Sequence, residues 1–155
     1  MPLLASTLAS GLSSVFTGVD SYQAAGTAWS NAYDVYARTA VAAGAPAILT
    51  GLEKTVMARS LAGVFEAGVA SQGSSTLASM EAAFAAFWML PPVVFGAGFV
   101  SAAPPGLAGL ISATVPLNIV AATSAEAASN IANAIHTWTL SITVTFPNGA
   151  TVTLI

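Results

Sequence analysis

His136 is the single histidine of a 155-residue chain that contains no cysteine. Proton-transfer or metal chemistry would have to start from it, as a general base or a ligand. The nearest carboxylate in sequence, Glu126, lies ten residues earlier. One imidazole with sparse carboxylates does not make the ligand set that a zinc ion takes within one chain. A serine nucleophile needs a positioned base and a third group to orient that base. Serines are plentiful, but no Gly-x-Ser-x-Gly elbow occurs. Glu53 with Glu66, or Glu66 with Glu81, would be the carboxylate pairs for glycoside chemistry. Nothing beside them in sequence suggests a raised pKa, so they read as solvated helix charges. Gly96-Ala97-Gly98-Phe99 lacks the rest of either nucleotide fingerprint, and no Gly-Lys-Ser/Thr is present. The expectation is a protein that is not an enzyme, with no catalytic residue, cofactor, metal or small-molecule substrate.

Composition narrows the remaining classes. Hydrophobic residues make up 55% and charged residues 6%, against a usual charged share of about 25%. The net charge is −3 and the pI near 4.6. Arg38, Lys54 and Arg59 are the only basic side chains besides His136, too few for the footprint that displaces counterions from nucleic acid or attracts anionic lipid. Eight of the nine charged residues fall between Asp20 and Glu81, and only Glu126 follows. A stretch so poor in charge has two ways to leave water: lipid, or contact with other protein. Residues 82–125 carry no charge, which gives the alternative reading of a membrane-associated protein with this segment inserted. Pro91-Pro92, Pro104-Pro105 and Pro116 break it into runs too short to span a bilayer as helix. Burial against protein is the favoured reading, with no membrane partner.

The elements follow from periodicity and punctuation. Residues 1–19 lack a basic n-region and a long apolar core and read as an N-terminal arm. Residues 20–155 read as a single domain. Asp20-Ser21 caps a helix expected to run to about Ala43, with Tyr22, Gly26, Trp29, Tyr33, Tyr36 and Ala40 forming one stripe. A second helix is expected over 47–70, a loop over 71–75, and a third helix over 76–90 that Pro91 stops. Residues 93–122 read as irregular, with short extended pieces at 93–95 and 98–100 and a short helix over 107–114. Thr123-Ser-Ala-Glu126 is a capping box opening a fourth helix to about Thr137. Leu140–Phe146 and Ala150–Ile155 alternate around Pro147-Asn148-Gly149, a hairpin whose Leu140, Ile142, Val144 and Phe146 share one face. Something has to complete this two-stranded sheet, from within the chain or from a neighbour. The fold class is α+β: a helical N-terminal bundle of three to four helices (residues 20–90), then an uncharged assembly part (91–155) with a Pro/Gly-rich segment and a C-terminal β-hairpin.

This order of parts, with Phe87-Trp88 closing an aromatic helix and Ala134-Ile-His-Thr-Trp138 ahead of a Thr/Val hairpin, resembles small structural proteins of tailed-bacteriophage virions, of the neck, tail or baseplate type. The resemblance spans residues 20–155 as a pattern. It implies a ring or shell subunit without cofactor, located in the virion and assembled in the host cytoplasm. Its partners would be further copies and other virion proteins, and a capsid decoration protein is the neighbouring alternative. Repetition in a ring explains independently how apolar surface escapes water. The expected assembly interface comprises Phe95, Phe99, Val100, Ile142, Val144, Phe146, Val152 and Leu154. Removal of residues 139–155 is then expected to leave the helices folded and to stop assembly. A third reading, a small hydrolase or ligand-binding module, would need a concave site around His136.

Overall fold

The computed structural model describes residues 3–16, 18–71, 75–121 and 123–155. Among these residues six helices and six strands follow one another in alternating pairs, so the fold is α+β. Helix α1 (Ala5–Val15) occupies the stretch expected to be an arm. Leu8, Leu12 and Val15, at the i, i+4, i+7 spacing of one helix face, are buried with Leu3. That apolar face, concealed among serines and alanines, docks α1 against α6 and α2 and corrects the arm.

Helix α2 (Tyr22–Ala37) is capped as expected: the Ser21 hydroxyl accepts from the Ala24 amide at 3.1 Å. It ends earlier than 43, because Ala43 (φ 49°) and Gly44 (φ 83°) make a left-handed two-residue turn. Such a turn matches strand twist, so β1 (Val41–Ala42) and β2 (Ala45–Ile48) pair as a hairpin where helix was expected. Helix α3 (Leu52–Ser71) therefore starts five residues later than the periodicity suggested. Gly26 sets its closeness to α2, since a Cβ there would overlap the Ala58 carbonyl oxygen. Helix α4 (Ser75–Met89) stands close to expectation, and residues 72–74 of the expected loop lie outside the described residues.

The segment read as irregular is organised. It contains β3 (Val94–Phe95), β4 (Gly98–Ala102) and α5 (Leu107–Val120), the last continuing well past Thr114. Buried Leu107 and Ile111 anchor α5 in the core, and the helix packs against α6 and α4. Helix α6 (Ser124–Thr139) opens on Thr123, whose hydroxyl accepts from the Glu126 amide at 3.1 Å. Strands β5 (Thr143–Thr145) and β6 (Thr151–Thr153) follow. No helix among the described residues is long and apolar enough to cross a membrane.

The six strands form one antiparallel sheet in chain order, so the C-terminal pair is completed from within the molecule by β4. Its two outer members also meet. Val41 N–H donates to the Ile155 carbonyl (3.1 Å) and Ile155 N–H to the Val41 carbonyl (3.0 Å). This reciprocal pair ties the two ends of the sheet together at one point, a partial answer to the edge problem of open sheets. Phe95 on β3 stacks on Trp88 of α4, centroids 6.3 Å apart, joining the sheet to the aromatic core of Trp29, Tyr33, Phe84 and Phe87.

Candidate functional site

The polar groups that could do chemistry are mostly engaged in holding the fold. Trp88 Nε1–H donates to Tyr33 Oη at 2.7 Å, and Tyr33 Oη lies 2.9 Å from Thr139 Oγ1. Thr139 spends its own proton on the Ile135 carbonyl at 2.8 Å. The Tyr33 hydroxyl is therefore the donor to Thr139, and each group of the chain is satisfied. Burial pushes the Tyr33 phenol far above its ordinary value despite these bonds, which keeps it a neutral donor.

His136 stands next to this chain. Its Nδ1 is 2.7 Å from Tyr36 Oη, and the rings meet edge to face. Desolvation raises the Tyr36 pKa and lowers that of His136, so both are held neutral. With the phenol protonated, Tyr36 donates to Nδ1 and the imidazole carries its hydrogen on Nε2. This pair locks α2 to α6. Among the described residues no group of three or more His, Asp or Glu is placed to hold a metal.

The carboxylates expected to be solvated divide. Glu66 is exposed. Glu53 is only 1% exposed, and accepts the Thr50 and Gly51 amides at 3.1 and 2.9 Å. Glu81 accepts the Gly106 and Ala108 amides at 3.1 and 2.7 Å, capping α5 from the neighbouring helix α4. Both neutralise amides that a helix start leaves without internal partners. Sequence spacing hides Glu81's role, because its partners lie 25 and 27 residues away. A depression of about 760 Å³ between α1 and α2 is lined by small and hydroxyl residues such as Ser6, Ser10, Gly11 and Ala32.

The expected assembly residues are not brought together on a surface. Phe95, Val100, Ile142, Val144 and Leu154 are at most 1% exposed and belong to the molecule's own core. Phe146 and Val152 are partly buried against it, the Phe146 ring lying where a Cβ on Gly98 would come within 2.8 Å. Of the eight, Phe99 alone is a large exposed side chain, at 48%. The physical reason is the two-residue period of strands: a run such as Gly98-Phe99-Val100 cannot send neighbours to the same face.

A different surface results. The pairings Ile48↔Val94, Val94↔Phe99, Phe99↔Thr145 and Thr145↔Thr151 make one row across five strands. Ile48, Val94 and Phe99 are 55%, 38% and 48% exposed. They form an apolar half-row that continues into hydroxyls, where Thr145 donates to Ser101 Oγ at 2.7 Å. None of the six strands carries an ionisable residue. Ile48 and Val94 were missed because the first was read as helix and the second as part of an irregular stretch. The signal available was alternation within Val93-Val94-Phe95, whose outer members are buried. Comparison with family models, curated proteins and solved structures finds no match to this chain.

Proposed function

We propose that this protein is a non-enzymatic structural subunit that works by packing against other polypeptides, in the manner of a small virion protein of a phage tail, neck or baseplate. The observation that carries the reading is the apolar half-row Ile48–Val94–Phe99 on a sheet face without charge. Three large side chains left side by side are poorly solvated, and covering each contributes roughly 1 kcal/mol. The scarce charges do not compensate. Glu53 and Glu81 serve helix starts, and Asp34 is occupied by Arg38 at 2.9 Å. In this reading the helices are the scaffold and the sheet presents the contact, with the C-terminal hairpin supplying its hydroxyl half. The contact is the outward face, not the inward residues of the hairpin.

Native mass spectrometry of the full chain tests this. Assemblies larger than a dimer are expected, and Phe99→Asp should abolish them while leaving the melting temperature nearly unchanged, because the side chain points away from the core. Assembly by Phe99→Asp at the wild-type level would sink the proposal, as would a wild-type chain that stays no larger than a dimer.

A further inference from the structure

Among the described residues, strand β6 has a strand neighbour on one side only. Its register with β5 pairs Thr143 with Thr153, Val144 with Val152 and Thr145 with Thr151. Leu154 N–H donates to the Ile142 carbonyl, and Phe146 N–H to the Ala150 carbonyl. These bonds show that the backbone groups of the even-numbered residues face β5. In an antiparallel ladder the intervening amides and carbonyls point the other way, so those of Thr151, Thr153 and Ile155 address the opposite edge. Ile155 is met there by Val41. No strand pairs with that edge of Thr151 and Thr153 among the described residues, and both are exposed.

The sequence indicates what fits the open edge. Strands β5 and β6 are the same tripeptide, Thr-Val-Thr, and it reads identically in either direction. Within the molecule β6 already forms an antiparallel ladder with one copy of this tripeptide, centred on Val144↔Val152. We propose that the free edge of β6 pairs with β6 of a second copy of this chain, antiparallel about a two-fold axis at Val152. Thr151 then faces Thr153 of the second copy, and Thr153 faces its Thr151. These are the hydrogen-bonded positions of the new ladder, so the exposed amides and carbonyls exchange bonds reciprocally. The arrangement is isologous and closes at two copies. No lysine, glutamate or proline stands on the strand to prevent it, and without charge there is no repulsion between like residues brought together by symmetry. Strand addition of this kind draws on main-chain bonds and is independent of the Phe99 face.

Sedimentation of the full chain at rising concentration tests the pairing, together with amide exchange at Thr151 and Thr153. In the Phe99→Asp chain, where the sheet-face contact is removed, a monomer–dimer equilibrium is expected, with both amides slowing as the dimer fills. Thr153→Pro removes an amide that points away from β5, a site where strands tolerate proline. It should weaken dimerisation at least about tenfold and keep the wild-type melt. If the proline variant fails to fold, Thr153→Lys at the same edge takes its place with the same expected loss. Phe99→Asp should leave this dimer intact. A chain whose Thr151 and Thr153 amides exchange at the same rate at every concentration would overturn the proposal. So would a dimer that survives the edge substitution, or one that is lost with Phe99→Asp.

Discussion

Thr139 shows how much one hydroxyl carries when it is buried. It accepts from Tyr33 and donates to Ile135, and Tyr33 in turn accepts from Trp88. Thr139→Val keeps the shape and strands the Tyr33 O–H in the core, so urea denaturation should show a loss of about 1–3 kcal/mol. Thr139→Ser should recover most of it. His136 gives the pH dependence. Its pKa is lowered in the fold by desolvation from an ordinary 6.5, so the folded state favours the neutral ring. The stability this contributes is complete above 6.5 and is lost as pH falls from there through the lower folded value. Protonation would also reverse the Tyr36 bond, since Nδ1 would have to donate. Melting temperature should therefore drop between pH 7.5 and 5, and His136→Asn should flatten that drop. The sequence placed His136 in a helix. It could not tell that Tyr36, one hundred residues away, would hold it.

Elements with local signatures were legible, and those defined by distant partners were not. The caps at Ser21 and Thr123 and the proline after α4 act within a few residues, so α2 and α6 begin, and α4 ends, close to where the sequence places them. Helix α1 was hidden because its core face is three side chains among small polar residues. The β1–β2 hairpin was hidden because its turn begins with Ala43 rather than the usual Asn or Asp. The same division explains the misplaced site: alternation around the C-terminal turn was visible, but which face meets the helices depends on the distant helix α4. Glu81 offers a test at this scale. Glu81→Ala removes the acceptor of the Gly106 and Ala108 amides, and should cost about 1–2 kcal/mol. Faster amide exchange in the first turn of α5 would report it. Gly26→Ala should push α2 from α3 and destabilise by about 1–3 kcal/mol, measured by the same denaturation.

Across the whole molecule, the sheet and the helices share one core, and that changes what a truncation does. Deleting residues 139–155 removes Thr139 together with buried Ile142, Val144 and Leu154. The outcome expected from the fold is loss of cooperative unfolding in a calorimetric scan, not a trimmed protein with intact helices. Retention of a sharp two-state transition by the truncated chain would contradict it. The joined ends of the sheet carry a further consequence, for the order in which the chain matures. Val41 leaves the ribosome long before Ile155, so the β1–β2 hairpin must wait, one side unbonded, until Ile155 arrives. Loop closure over so much intervening chain is slow. During that interval the nascent protein presents an adhesive apolar ribbon to its neighbours, and crowded synthesis is where it would be most prone to stick.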